Sequence, residues 1–502
     1  MTDFFTDNRA QFGHGRRAAR SGAVSMAIRA FNTVFQFVCV LVLARLLSPE
    51  DYGLTGMALV VTSFAPLVVD FGSRDAISRR ERVSPGEVSA LFWVTIALGL
   101  GLTLLIAVSS PFAAAFYRDG RLTDILLVSS LVFVTMALSC QHQALMRRAM
   151  MFRELAQVEV FAGFFSSAIV ILMALTGWQY WSLVAKPLLL SLLMNIGVWL
   201  HCRWVPTRPT MTSGVWDMVK FGRNLVGSSF TDYARSNIDR LLIGRRYGPA
   251  TLGLYQNGLQ VYSNLQSPLT YLNEIAVVGL AKVLHDKKEY QRLWVKGVST
   301  LAFFAMPAFG LIAVTGRELV VVLLGDRWAA AGAILCIFSF RGILSIVEPP
   351  MGWLHLSAGR ADRFIKWSLL SAVFHIASVS AGLKSGIEGV AVAMTVATYA
   401  LFVPGILYAG KPLDVGLSHL VDAIGRQFVG TLLAVAIGMA FRAFGSGSLF
   451  ETTLLVATAY VVVYLVVVVG FFRLTAPIVL VWTLLRDMLP SGPVAGEAAS
   501  AK

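Results

Sequence analysis

Long apolar segments alternate with short polar segments along almost the whole chain. Windows of about 20 apolar residues, the length of a helix that crosses a bilayer, place spans at 22–46, 53–73, 90–116, 123–146, 155–176, 180–202, 218–243, 250–280, 297–315, 329–354, 364–382, 387–409, 424–441 and 449–472. The pattern predicts an all-α polytopic membrane protein with about 14 transmembrane helices. Residues 473–502 follow as an interfacial helix and a disordered tail.

The loops between these spans differ in charge. Basic residues concentrate in every second loop, as in the run from Arg79 to Arg82 and the pair Arg147 and Arg148. Because cytoplasmic loops carry the excess of Lys and Arg, both termini are expected in the cytoplasm. Residues 1–21 form a cytoplasmic segment, and the apolar run after them is too long for a signal peptide.

Composition supports the membrane assignment and narrows the chemistry. The chain is 56% hydrophobic and 14% charged with a mean hydropathy of +0.70, whereas soluble chains average about 25% charged residues. The net charge of +14 is spread over short cytoplasmic loops, so we expect no nucleic-acid partner. All four cysteines fall inside predicted spans, which argues against disulfides and a metal site, and no cofactor is expected.

One short motif occurs twice. "ARLLSPEDYGL" at 44–54 and "GRRYGPATLGL" at 244–254 share an Arg, a Pro and a Gly-Leu pair, each 200 positions apart. Pro and Gly suggest that each copy is a tight reversal between helices. Six spans separate the copies, so both halves run in the same direction. This predicts an N-lobe at 22–210, a C-lobe at 211–415 and two added helices at 416–472.

The residues around this motif resemble a known family. "LARLLSPEDYGLTGMALVV", "IDRLLIGRRYGPATLGLYQNG", "GWQYWSLV" and "VVLLGDRWAAAGAIL" are similar to the Wzx-like polysaccharide flippases of the multidrug/oligosaccharidyl-lipid/polysaccharide exporter superfamily. The resemblance implies two six-helix lobes in a bacterial inner membrane. It also implies a cargo of undecaprenyl-pyrophosphate-linked oligosaccharide, moved across that membrane for exopolysaccharide, capsule or O-antigen synthesis. A polymerase and a chain-length regulator are conceivable partners.

Charged residues inside spans are candidates for the transport site because each is costly in lipid. Guanidinium and ammonium groups bind phosphate oxygens, which makes four cations candidates for the pyrophosphate: Arg29, Arg235, Arg341 and Lys186. Arg29 and Lys186 could instead snorkel to the membrane surface. Arg235 could pair with Asp232 or Asp239, and Arg341 with Glu348.

Amide side chains suit sugar hydroxyls. Two helical faces carry them, with Asn32 and Gln36 on span 1 and Asn257, Gln260 and Asn264 on span 8. Tyrosines at 255, 262 and 271 could stack on sugar rings. Hydrogen bonds between helices are the competing role for these amides.

Coupling to H⁺ or Na⁺ requires an intramembrane acid, for which the candidates are Asp232, Glu348 and Asp70. Transport is favoured over enzymatic polymerisation because no predicted external loop exceeds about 15 residues, the length of a plain connection. The alternative function is that of a multidrug or peptidoglycan-precursor exporter of the same superfamily. The four candidate cations inside the spans favour an anionic cargo.

Overall fold

The described part of the chain is built from α-helices. A computed structural model describes residues 32, 35–74, 77, 83–209, 213–444, 448–479 and 483. Within these ranges, the side chains of residues 213–215, 217–219, 221–232, 234, 267–275 and 444 are outside the description. The chain divides into two compact units, one of Met1–Asn257 with Leu323–Trp328 and one of Gly258–Val322 with Ala329–Lys502.

The first unit contains the N-terminal helices. They are α1 (Phe35–Leu46), α2 (Pro49–Thr62), α3 (Ala65–Asp70), α4 (Pro85–Tyr117), α5 (Arg121–Arg148), α6 (Phe152–Leu175) and α7 (Tyr180–Cys202). Helix α8 (Ser213–Lys282) joins two helices across Gly248, whose φ of 82° breaks the helical path. Its residues up to Asn257 belong to this unit, as does the short segment Leu323–Trp328.

The second unit contains the remaining helices. After the end of α8 come α9 (Lys287–Leu324), α10 (Ala329–Ser345), α11 (Glu348–Ser357), α12 (Ala361–Gly382), α13 (Gly386–Gly410), α14 (Leu417–Phe444) and α15 (Leu449–Leu465). A π-helical turn (Val466–Phe471) extends α15. The closest packing in this unit joins α12 with α13, α14 with α15 and α10 with α13.

Several helices begin where a local sequence signal dictates. Ser48 and Ser84 each precede a proline, and each closes a capping box with the acid three residues later, Asp51 and Glu87. The serine accepts a hydrogen bond from the backbone of that acid, the acid accepts one from the serine backbone, and proline suits the first helical position. Ser448 caps α15 in the same way with Glu451.

The helix surfaces fit a membrane. Ten segments of the described residues are long and apolar enough to span a bilayer. One of the ten, Ala361–Leu413, contains both α12 and α13, while α1 and α8 are not among them. The polytopic α-helical fold is therefore confirmed, and the count of 14 stays a prediction. Large apolar side chains such as Leu104 (66% exposed) and Phe112 (74% exposed) are suited to contact lipid, where no water penalises them.

The motif glycines differ from the prediction. Pro49 begins α2, and Gly53 and Gly253 lie inside helices rather than in turns. The helical path is interrupted before each proline, at Ser48 in the extended region and at Gly248 with a positive φ. The prediction of a turn at Gly53 and Gly253 is wrong, because the proline marks a helix start and the glycine follows one turn later.

Candidate functional site

A cavity of about 250 Å³ lies within the first unit, between α3, α5 and α7. Apolar side chains form much of its wall. Its polar side chains are Asp70 at the end of α3, Arg74 just after it, Ser139 and Gln143 on α5, and Ser191 on α7, with the Cys140 thiol beside them. Such a mixture of apolar walls and a few convergent polar groups is typical of binding sites.

An ion pair stands at the polar end of this cavity. Arg74 Nη2 lies 2.8 Å from Asp70 Oδ2, and each side chain is 26% exposed. Arg74 Nη1 also donates to Gln143 Oε1 at 3.4 Å, and the Cys140 thiol donates to Asp70 Oδ1 at 3.6 Å. Gln143 in turn donates to Ser139 at 3.2 Å. The carboxylate is thus contacted by a cation and a thiol, and both members of the ion pair are partly buried.

The local backbone positions this pair. Span 2 breaks at Ser63 and Phe64, so that α3 is a separate helix of six residues that ends at Asp70. Phe71 then adopts φ 32° and ψ 31°, and Gly72 has φ 72°. A bulky residue in the left-handed region is uncommon and is held there only by its surroundings. Phe71 is 4% exposed and belongs to a core that includes Leu91 and Leu145.

The Asp70–Arg74 pair balances two opposite charges. A guanidinium within the membrane needs such a counter-charge, and outside this pair it could bind an anionic group bidentately. Asp70 was among the predicted coupling acids, and that role stays a prediction; the structure shows that its partners are Arg74 and the Cys140 thiol.

The amides predicted on span 1 take part in helix packing. Gln36 donates to the Gly163 carbonyl at 3.1 Å and accepts from Ser167 at 3.3 Å, which ties α1 to α6. Gly163 allows this close approach, since a Cβ there would meet the Gln36 and Asn32 side chains. Asn32 Oδ1 is buried with no hydrogen-bond partner. The sugar-binding role of both amides stays a prediction.

The predicted amide face on α8 differs from residue to residue. Gln260 and Asn264 are exposed, and Gln260 Nε2 donates to Asn264 Oδ1 at 3.0 Å. Asn257 is buried, and its Nδ2 has no hydrogen-bond partner. The neighbouring rings are unsuited to stacking on a sugar, because Tyr255 is 0% and Tyr262 3% exposed. For these two rings the prediction is wrong, since they pack in the core, and the side chain of Tyr271 lies outside the description.

The remaining predicted site residues are spread over both units. Arg341 is half-buried on α10 and donates from Nε to Thr398 at 2.9 Å. Glu348 is exposed as the first residue of α11. Lys186 on α7 is half-buried near the Cys39 thiol, and Arg235 is half-buried on α8. Arg29 and the Asp232 side chain lie outside the described residues.

Sequence reasoning missed some polar partners. Arg74 falls just outside the predicted span 53–73, yet it stands four residues after Asp70, the spacing of a helical ion pair. Gln143 gave no signal of its own. In the second unit, Arg442 of α14 pairs with Glu318 of α9 beside a cavity of about 280 Å³. Both of these charges fall near predicted span ends.

Comparison with known sequences places the chain in a family. A profile of the family described as polysaccharide biosynthesis protein matches residues 42–333, more than half of the chain. The teichuronic acid biosynthesis protein TuaB of Bacillus subtilis (strain 168) is 26% identical over 421 residues, which cover 81% of this chain and 84% of the relative. The succinoglycan biosynthesis transport protein ExoT of Rhizobium meliloti (strain 1021) is 24% identical over 450 residues, with coverages of 84% and 89%.

Solved structures share the fold. The lipid II flippase MurJ in an inward closed conformation aligns with a TM-score of 0.71 at 14% identity, covering 88% of this chain and 99% of MurJ. An inward-facing multidrug resistance MATE transporter aligns with a TM-score of 0.59 at 11% identity, covering 76% of this chain and 94% of the transporter. At these identities the likeness concerns the fold alone. By the match of its sequence profile, the chain belongs to the polysaccharide biosynthesis protein family, and it has the polytopic helical fold of these transporters.

Proposed function

We propose that the protein is a flippase that moves undecaprenyl-pyrophosphate-linked oligosaccharide units to the outer leaflet of the bacterial inner membrane. The proposal rests on the family membership of the sequence combined with the likeness of the fold. The chain belongs to a polysaccharide biosynthesis family, and nearly the whole of a flippase aligns with its fold. The relative ExoT is named a transport protein. A transporter that alternates access, rather than an enzyme, suits a helical membrane fold of this kind.

The cavity beside Asp70 and Arg74 suits the coupling step. We propose that binding of a proton or Na⁺ at Asp70 releases Arg74 and so links the ion gradient to movement of the cargo. Asp232 and Glu348 remain further candidates for coupling. Arg29, Arg235, Arg341 and Lys186 remain the proposed pyrophosphate ligands.

The sugar part of the cargo needs hydrogen-bonding groups. Gln260 and Asn264 are best placed for this role, because both amides are exposed. A polymerase and a chain-length regulator would act on the unit after transport. The proposal also places both termini in the cytoplasm, as the distribution of Lys and Arg predicts.

The first experiment measures the lipid-linked intermediates. Cells that lack the protein should accumulate single repeat units on undecaprenyl pyrophosphate and lose surface polymer. Mass spectrometry of the lipid fraction gives the mass of the unit and hence its sugars. The units should remain on the cytoplasmic face, which separates a missing flippase from a missing polymerase.

The alternatives predict other results. A peptidoglycan-precursor exporter would instead leave that precursor to accumulate, and a multidrug exporter would change drug tolerance with polymer intact. A normal lipid pool together with normal polymer would refute the proposed cargo.

A substitution tests the coupling role. Asp70→Asn keeps the size of the side chain and removes its charge, so transport in vesicles should lose its dependence on the ion or pH gradient. Asp422→Asn is the matched control, because Asp422 is exposed on α14. Equal gradient dependence in both variants would rule out Asp70 as the coupling acid.

A further inference from the structure

The two copies of the repeated motif cross each other in the first unit. A Cβ on Gly53 would overlap the carbonyl oxygen of Pro249, and a Cβ on Gly253 would overlap the carbonyl oxygen of Pro49. Each glycine therefore lies directly against the proline that begins the helix of the other copy. The contact is reciprocal, as expected when equivalent residues of a repeat meet near a two-fold axis.

This crossing is a contact between two backbones. Small residues let helices in membranes approach this closely. Gly53 and Gly253 have no side chain to interlock at the point of closest approach. A single methyl group added to either glycine would keep the two helices apart at this point.

The later segment Leu323–Trp328, which we call the strap, fixes one side of the crossing. Its Trp328 indole donates to the Ala44 carbonyl at 2.8 Å, and its Arg327 donates to the Leu47 carbonyl at 3.2 Å. Arg45 in turn donates to the Leu323 carbonyl at 3.0 Å. These bonds satisfy carbonyls at the end of α1, which a helix leaves free. They anchor the peptide immediately before Pro49.

Charged residues surround the same place. Arg121 forms ion pairs of 2.7 Å with both Glu50 and Asp119. Arg245 lies over the ring of Phe116 at 5.5 Å. All of these residues come from the loops with few basic residues, which the charge pattern predicts to be external. The strap and both motif copies are thus gathered at one end of the helices.

We infer that the Gly53–Gly253 crossing is a latch on the external side, closed in this structure, which must part in each transport cycle. The inference rests on the proposed function, because only a transporter needs such an opening. It accounts for the repeated Arg, Pro and Gly, and for the "GDRW" sequence at 325–328, none of which the cargo or coupling roles employ.

A reversible cross-link tests the latch. In a variant with the four native cysteines replaced by alanine, Gly56→Cys and Gln256→Cys form a pair across the junction, since a Cβ on Gly56 already meets the Gln256 side chain. We expect an oxidant to join the pair and to stop polymer export, and a reductant to restore it. Each single-cysteine variant is the control and should export in both conditions.

Accessibility measures opening without reference to the cargo. Met57, one turn after Gly53, is 0% exposed. A cysteine in its place, Met57→Cys, should react with a membrane-impermeant maleimide from outside only when the latch parts. Adding Gly53→Ala should raise the labelling rate by about tenfold, because an overpacked contact is held open. Adding Gly101→Ala should leave the rate unchanged, since a Cβ on Gly101 meets no atom within 4 Å.

The outcomes separate the two proposals. Full export by the cross-linked pair, no cross-link at all, or equal labelling with Gly53→Ala and Gly101→Ala would each overturn the latch. Normal polymer in cells lacking the protein would overturn the proposed function instead. In that case the labelling rates alone decide whether the crossing opens.

Discussion

Removing the Trp328 side chain should loosen the first unit more than removing any exposed tryptophan. Trp328 is 0% exposed, donates its indole N–H to the Ala44 carbonyl at 2.8 Å, and meets the Tyr52 ring edge-on at 5.2 Å. Trp328→Phe removes the hydrogen bond and keeps most of the ring. Trp328→Ala removes both and leaves a cavity.

The structure sets the size of each effect. Loss of one buried hydrogen bond costs about 1 kcal/mol, and truncation of a buried tryptophan to alanine costs about 3–5 kcal/mol. One kcal/mol moves the thermal midpoint of a large domain by about 2–4 °C. We therefore expect Trp328→Phe to lower the midpoint by about 2–4 °C and Trp328→Ala to lower it by at least about 6 °C.

The native cysteines provide the assay. Cys39, Cys140 and Cys202 are buried in the first unit, so a thiol-reactive dye reports its thermal unfolding in detergent. Trp178→Ala is the control, because Trp178 is 56% exposed and surface substitutions change stability by less than about 0.5 kcal/mol. Equal midpoints for Trp328→Ala and Trp178→Ala would refute the anchoring role of the strap.

Three further predictions concern the same unit. Hydrogen bonds from Arg121 hold the pKa of Asp119 below its usual range. The ionised carboxylate therefore stabilises the folded state fully above about pH 4, and this stabilisation is lost as the pH falls through the lower folded pKa. In the variant Asp119→Asn, the thermal midpoint, measured by tryptophan fluorescence, should fall less with acid than it does in the native protein. Ser84→Ala removes a capping box and should lower the free energy of unfolding by about 1 kcal/mol. The same substitution at an exposed serine that caps no helix should change it little. Gly197→Ala places a methyl group against the Val158 side chain and should lower the free energy of unfolding by about 1–3 kcal/mol. Adding Val158→Ala should restore part of this loss. If the effects of the two substitutions simply add in the double variant, the contact is contradicted.

The sequence alone determined the membrane fold and many helix starts. Apolar windows of about 20 residues are a local property, since every backbone group in lipid must be satisfied within its own helix. The Ser-Pro starts of α2 and α4 are equally local, because a capping box closes within four residues. The exact repeat of 200 positions was also visible, and with it the relation between the two motif copies.

Only the tertiary structure decided what the polar and small residues do. A glycine in a membrane protein can serve a turn or a close helix contact, and Gly53 is assigned to the second by the position of Pro249. The same holds for Gln36, whose amide is occupied by α6, and for Tyr255 and Tyr262, whose rings face the core. Asp70 is paired with Arg74, which in turn donates to Gln143. Such roles depend on which helix lies opposite, and that is set by packing between segments far apart in sequence.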